Sequence, residues 1–131
     1  MIQKTFIVDD FVMVDNKKFA LNLNVYRNSD YFSLNKAKKA FKEQLFYSYP
    51  ELKKIKANNI IVEYFIERND NRIFDTMNII SVVDKFTLDA LVDFGCLPND
   101  SYRQVKYKAP IVSSEIMKMA NKRIHIFCEF F

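Results

Sequence analysis

The chain has 131 residues and a net charge of +4 at neutral pH, and half of its residues are apolar. This length predicts a single domain over residues 1–131, and an aromatic content of 15% is enough for a core and excludes a disordered tail. No apolar run reaches the roughly 18 residues of a membrane span, and the N-terminus lacks the apolar core of a signal peptide. A cytoplasmic protein without a membrane partner is therefore expected.

Charge and cysteine content exclude only a few classes of function. The 20 basic and 16 acidic residues permit a polyanionic partner without identifying one. Structural zinc needs about four ligands, whereas the chain has two cysteines and one histidine. Cys96 and Cys128 are therefore predicted to be free, buried thiols.

The N-terminal part is predicted to be extended up to the first long helix. Residues 5–14 are rich in Val, Ile and Phe and predict a strand or hairpin arm, which ends at a polar turn over 15–18. Residues 19–26 predict a second extended piece, followed by a polar loop over 27–30.

The first long helix is predicted over residues 33–49. Ser33 can cap its start, and Pro50 ends it, with one more turn expected over 52–56. Apolar side chains recur at helical spacing, namely Ala37, Ala40, Phe41, Leu45 and Tyr49. The lysines between them predict a solvated face, with a DNA-binding face as the alternative: Lys36, Lys38, Lys39 and Lys42.

A central strand and a second helix follow. The near-continuous apolar run over 59–68 predicts a central strand, and a charged turn follows it over 68–72. Residues 78–94 predict a helix with Asn78 as N-cap and Gly95 as left-handed C-terminal cap. At about 100° per residue, its apolar side chains share one face, and Asn78, Lys85 and Asp89 lie on the opposite face.

The C-terminal part predicts further strands. A turn over 98–101 precedes an alternating strand over 102–108, residues 111–120 are ambiguous between a loop and a helical turn, and 123–131 form a strand. The order β-β-α-β-α-β-β predicts an α+β fold, a small mixed sheet with two main helices packed on one side.

Four charged residues in and around the second helix suggest phosphodiester hydrolysis. Asp75 precedes the helix, Lys85 and Asp89 lie one turn apart on it, and Asp100 follows it. Clustered carboxylates hold Mg²⁺, which activates water and stabilises the attacked phosphate, and a lysine adds positive charge. The alternative is that Lys85 and Asp89 form only an i,i+4 surface ion pair.

Three segments resemble the RusA family of Holliday-junction resolvases: residues 74–78 (FDTMN), 84–91 (DKFTLDAL) and 95–101 (GCLPNDS). The run LNLNVYR over 21–27 is similar to the family's entry loop. The resemblance covers most of the chain and is specific over about 30 residues. It implies a RusA-like fold and a homodimeric endonuclease, common in phages and prophages, that resolves branched DNA in recombination and repair. The location would then be the cytoplasm of a bacterial or phage-infected cell.

The resemblance also implies site residues. Asp75 and Asp100 match metal-binding aspartates, Lys85 matches the catalytic lysine, and Asp89 matches the helix aspartate near the site. The implied cofactor is Mg²⁺, with Mn²⁺ as the alternative.

The sequence departs from the family pattern at two positions. Met77 replaces the second aspartate of the Asp-x-Asp step, and methionine is a poor Mg²⁺ ligand; Asn99 replaces the first aspartate of the final pair. Asp84 lies about 100° around the helix from Lys85, so Asp89 is favoured as the replacement ligand. The alternative function is a catalytically impaired module on the same fold that binds junctions or a protein.

Basic and aromatic residues flank the acidic segment. The candidates for phosphate contacts are Arg68, Arg72, Arg103, Lys106 and Lys108. Phe74 and Tyr102 are expected in the core, with base stacking as the alternative, and His125 is expected to be a packed core or edge histidine.

Overall fold

A computed structural model describes all residues, 1–131. The fold is α+β, as predicted, with seven strands, three helices and a 3₁₀ turn over Pro50–Lys54. The strands are β1 (Ile2–Asp9), β2 (Phe11–Val14), β3 (Lys17–Ala20), β4 (Ile60–Arg68), β5 (Val105–Tyr107), β6 (Ile111–Ile116) and β7 (Arg123–Phe130). The helices are α1 (Leu23–Asn28), α2 (Tyr31–Ser48) and α3 (Thr76–Asp93). None of the helices combines the length and apolar character that a membrane crossing demands.

The main sheet is mixed and has five strands in the order β1-β7-β4, with β5 and β6 end to end along the far edge of β4. β1 and β4 are antiparallel to β7, whereas β5 and β6 are parallel to β4. Ile60 pairs with Val105 and Phe65 with Ile111, so β5 and β6 follow one edge of β4 in succession. Pro110 lies in the gap between them, where its missing N–H would break a continuous ladder.

The core lies between one face of this sheet and the helices. Residues alternate along β4 and β7, so that Ile60, Val62, Tyr64 and Ile66 are buried with every second residue of β7. These side chains belong to a single apolar cluster with α2 and α3. The β2–β3 hairpin packs against α2. No helix covers the opposite face of the sheet, where Phe127 keeps 39% of its surface exposed.

The N-cap of helix α3 lies three residues earlier than predicted. Asp75, not Asn78, is the N-cap, and its carboxylate accepts the N–H of Met77 at 3.0 Å. Asn78 is also absent from the solvent face, because its side chain accepts the N–H of Leu23 at 3.2 Å and ties α3 to α1. The predicted left-handed residue after the helix is confirmed: Gly95 has φ of 79°.

Two predictions for the N-terminal third are wrong. Residues 23–28 form α1 rather than extended chain, since the Asn22 side chain accepts the N–H of Val25 and caps a helical turn. Helix α2 begins at Tyr31, because Asp30 caps it by accepting the N–H of Ser33 at 2.7 Å. The predicted extended run over 5–14 is two strands.

The C-terminal predictions need two corrections. Residues 102–104 form a turn, which shortens the strand predicted over 102–108 to β5. The ambiguous segment over 111–120 contains β6, because the upper half of β4 offers a free edge that β5 does not reach. The thiols of Cys96 and Cys128 are free and buried, as predicted, and burial raises the pKa of both.

Candidate functional site

Two concave surfaces lie on either side of α3. The cleft, between α3 and the β5–β6 edge, is lined by Tyr64, Met77, Asp84, Lys85, Asp100, Tyr107 and Lys108. The groove, between α2 and α3, is lined by Lys38, Lys39, Lys42, Asp89, Asp93, Asn99 and Asp100. Their volumes are about 480 and 490 Å³, so size does not distinguish them. Their chemistry does.

Asp84 is the best-anchored carboxylate of the cleft. Tyr64, on the buried face of β4, donates its hydroxyl hydrogen bond to one carboxylate oxygen, and Tyr107 of β5 donates to the other at 2.6 Å. Two strands therefore hold one α3 side chain, and its position is set by rigid elements rather than by a loop. Each oxygen has further lone pairs, so the carboxylate can accept another ligand.

No basic side chain forms an ion pair with Asp84, and its pKa is raised. Burial raises the pKa of Asp84 above its ordinary value of 3.8, the hydroxyls of Tyr107 and Tyr64 oppose the shift, and the negative charges of Asp100 and Asp89 reinforce it. The pKa of Tyr107 is raised by burial and by its hydrogen bond to Asp84. A cation in the cleft would relieve the repulsion between Asp84 and Asp100.

Asp100 and two lysines complete the cleft. Asp100 lies in the turn after α3 and lines both the cleft and the groove. Lys85 projects from α3, and Lys108 follows β5. Both lysines have acidic partners outside the cleft, since Lys85 lies 3.7 Å from Asp89 and Lys108 lies 3.7 Å from Glu129.

Asp75 does not line the cleft with Asp100. Its exposed carboxylate caps α3, nine residues before Asp84, which corresponds to about 13 Å along a helix axis. Met77 does line the cleft and is 50% exposed. The Asp75–Asp100 pair expected from the resemblance is therefore not brought together, whereas Asp84 and Asp100 are.

Asp89 lies in the groove and already has two cationic partners. Its carboxylate is 3.4 Å from the ammonium of Lys38 and 3.7 Å from that of Lys85. The i,i+4 pair between Lys85 and Asp89, considered from the sequence, is thus present. Asp89, favoured from the sequence as a replacement ligand, lies outside the cleft, and Asp84 occupies it instead.

The predicted phosphate-contacting residues are divided between the two ends of β4. Lys106 pairs across from Ile61, whereas Arg68 lies seven residues further along β4, about 23 Å away. Arg68 is largely structural, since it donates to the Ser114 carbonyl at 3.1 Å. Arg72 is exposed beside Asp70, and Arg103, like Lys106, is exposed near β5; only Lys108 lines the cleft.

The remaining candidates have different environments. Phe74 packs against the core, as expected, but Tyr102 is 76% exposed beside Arg103. His125 is on the uncovered sheet face, paired with Glu67. On α2, Lys38 and Lys42 line the groove as partners of Asp89 and Asp93 rather than as a free basic face.

From the sequence, Asp89 was favoured over Asp84 as a metal ligand, and no site role was predicted for Tyr64 or Tyr107. One signal was available: a tyrosine on the buried face of a central strand needs a polar partner for its hydroxyl. Asp84 sits on the flank of the apolar stripe of α3, where it can meet that strand.

The cleft suits a cation held by few protein ligands. No group of three or more acidic, cysteine or histidine side chains is arranged around one point. Mg²⁺ commonly uses one or two carboxylates, with water and substrate phosphates completing its shell. Asp84 and Asp100 are the two carboxylate residues that line the cleft. Comparison of the chain with known protein families and with curated proteins gives no match.

Proposed function

We propose that this chain is a Mg²⁺-dependent endonuclease acting on branched DNA, with Mn²⁺ as an alternative metal. The observation that carries the proposal is the cleft, whose lining includes the carboxylates of Asp84 and Asp100 together with Lys85 and Lys108. The RusA-like segments around α3 support the same reaction class, because three of these four residues, Asp84, Lys85 and Asp100, fall within them.

Asp84 and Asp100 would hold the metal, replacing the pair Asp75 and Asp100 expected from the resemblance. When bound, the metal would lower the pKa of a water and offset negative charge on the phosphodiester. Lys85 and Lys108 would attract the DNA phosphate and stabilise charge that develops on it. Tyr64 and Tyr107 would keep the Asp84 carboxylate oriented, which makes them positioning residues.

The test is cleavage of a synthetic four-way junction beside a linear duplex of the same sequence, with and without Mg²⁺. We expect the parent protein to cut the junction only with the metal. Asp84→Asn and Asp100→Asn should reduce the rate by about 100-fold or more. Asp93→Asn is the matched control, since this exposed carboxylate lies in the groove, and it should retain activity. Junction binding without cleavage in Mg²⁺ and Mn²⁺ would overturn the enzyme proposal.

A second candidate is a binding module that grips junctions or a protein without cutting. It is favoured by Met77, which lines the cleft in place of a third carboxylate. This candidate predicts junction binding that weakens steeply with salt and is unchanged by Asp84→Asn. Failure to bind junctions at low salt would exclude both nucleic-acid functions.

A further inference from the structure

A third concave surface, the hairpin pocket, lies where the β2–β3 hairpin meets the beginning of α3 and the loop before β7. Phe11 and Lys18 line it from the hairpin, Asn78 from α3, and Asn121 and Lys122 from the loop. Its volume is about 310 Å³, which is at the lower end for a small-molecule site. The hairpin pocket therefore suits one small ligand rather than a longer segment of chain.

Three asparagine side chains of the hairpin pocket leave hydrogen-bonding groups unused. The carboxamide oxygens of Asn22 and Asn78 each accept a backbone N–H, at 2.9 and 3.2 Å, so that both amide nitrogens remain as donors without a partner. The nitrogen of Asn121 donates to Asp9 at 2.9 Å and to a backbone carbonyl, which leaves its carboxamide oxygen as an acceptor. The pocket therefore offers both donors and acceptors, as the edge of a nucleobase does.

Three charged side chains line the hairpin pocket without forming any ion pair, namely Asp10, Lys18 and Lys122. The ammonium of Lys18 is 4.4 Å from the centroid of the Phe11 ring. That of Lys122 is 5.0 Å from the centroid of the Phe74 ring. Burial raises the pKa of Asp10, while the backbone N–H and the ammonium of Lys122 lower it. A ligand with both an anionic group and a hydrogen-bond donor would compensate these charges.

A nucleotide whose base carries an amino group has both properties. Its phosphate is anionic, and the exocyclic amine of cytosine, adenine or guanine can donate to a carboxylate. The rings of Phe11 and Phe74 and the side chain of Ile79 supply apolar surface for the faces of the base. Thymine has no amine, and it would present a carbonyl oxygen to the Asp10 carboxylate instead.

We propose that the hairpin pocket binds one nucleotide with an amino-bearing base, whose amine donates to Asp10 and whose phosphate meets Lys18 and Lys122. The pocket is separate from the cleft, although Asn78 lines the pocket and the preceding residue, Met77, lines the cleft. If the proposed nuclease function holds, a strand bound in the cleft can place an unpaired base in the pocket. Binding of the nucleotide itself does not depend on that function.

The test is titration of the ¹⁵N-labelled full chain with dCMP and with dTMP in EDTA, followed by amide NMR shifts. We expect dCMP to shift the signals around Asp10 and Asn121 with a dissociation constant on the order of 1 mM. dTMP should bind about tenfold more weakly, because it lacks the amine. Asp10→Asn should reduce that preference to about twofold or less, since a carboxamide donates as well as accepts.

The phosphate contact has its own pair of variants. Lys18→Gln should weaken both nucleotides about threefold or more and leave the preference for dCMP unchanged, because the charge it removes faces the phosphate rather than the base. Lys17→Gln is the matched control, since Lys17 is the neighbouring exposed lysine of β3 and does not line the pocket. It should bind both nucleotides as the wild type does. Circular dichroism of each variant reports whether the fold is retained.

A short single strand of dT with one internal dC distinguishes a base in a strand from a free nucleotide. Binding tighter than that of dCMP and of an all-dT strand, and weakened by Asp10→Asn, would assign the pocket to a strand; affinity equal to that of dCMP would assign it to the free nucleotide. No shift at the pocket up to about 10 mM dCMP, or equal affinity for dCMP and dTMP, would overturn the proposal. Because the titration contains no Mg²⁺ and measures binding, its outcome is independent of whether the chain cuts DNA.

Discussion

The two sides of α3 hold carboxylates in opposite ways. In the cleft, Asp84 is half-buried and bound by two neutral hydroxyls, with another carboxylate nearby. In the groove, Asp89 and Asp93 each lie 3.4 Å from a lysine of α2, and Asp93 keeps 58% of its side chain exposed. In the groove, lysines of α2 therefore compensate the negative charges of Asp89 and Asp93. The cleft leaves negative charge that an added cation can satisfy.

This difference separates the two sides of one helix by how their carboxylates are compensated. Solvated ion pairs such as Lys42–Asp93 contribute little free energy and tolerate change. A desolvated carboxylate without a counter-ion costs stability in the free protein, and such groups concentrate at functional sites. The contrast therefore favours the cleft over the groove as the reactive surface, although their volumes are similar.

The largest expected difference between the cleft and the groove comes from removing one carboxylate in each of them. Asp84→Ala should abolish junction cleavage and lower the free energy of unfolding by about 1–3 kcal/mol, because the buried hydroxyl of Tyr64 loses its partner. Asp89→Ala should lower it by less than about 1 kcal/mol, since it removes only ion pairs that are partly exposed to solvent. Urea unfolding and the cleavage rate provide the two readouts. Equal effects at both positions would remove the distinction between the two surfaces.

Adding a carboxylate should strengthen the cleft. Met77→Asp places a third acidic side chain at an exposed position that lines it. We expect the Mg²⁺ concentration for half-maximal cleavage to fall roughly tenfold, because affinity rises with the charge of the ligands. Met13→Asp, on the distant β2, is the control. No change with Met77→Asp would argue against a metal in the cleft.

The pH dependence of stability should also separate the cleft from the groove. Burial raises the pKa of Asp84 in the folded chain, so its contribution to stability is complete below the ordinary value of 3.8 and is lost as pH rises through the higher folded pKa. Measured in EDTA, the stability of the wild type relative to Asp84→Asn should therefore fall as pH rises from about 4 towards neutrality. A difference that stays constant or grows with pH would contradict the desolvated carboxylate.

The smallest effect is expected in the groove. Lys42→Ala should change the free energy of unfolding by a few tenths of a kcal/mol, and added salt should diminish the difference. Thermal unfolding at two salt concentrations measures it. A loss of cleavage in this variant would show that the groove takes part in function.

Some of the fold and little of the site could be predicted from the sequence. The apolar run that predicts β4 as a central strand and the glycine that predicts a left-handed cap after α3 are local signals, and both predictions are confirmed. Caps were misassigned because Asp30 and Asp75, just upstream of the predicted starts, compete for the same role. β6 was missed because its residues are strand-forming only along the free edge of β4.

The position of Asp84 depends on tertiary structure. A helical projection assumes one buried stripe, but Val82, Thr87 and Leu88 are buried as well, since the sheet and the other helices enclose a wider arc of α3. The flank that holds Asp84 therefore faces a strand rather than water. That orientation depends on the parallel pairing of β4 with β5, which local sequence does not specify.

Paramagnetic broadening of amide NMR signals by Mn²⁺ tests most directly the proposal that the metal binds in the cleft rather than at Asp75 or in the groove. Substoichiometric Mn²⁺ should first broaden the signals around Asp84 and Asp100, and Asp84→Asn should remove that effect while Asp75→Asn leaves it unchanged. Broadening centred on Asp75 or on Asp93, with Asp84→Asn behaving as the wild type, would contradict the account.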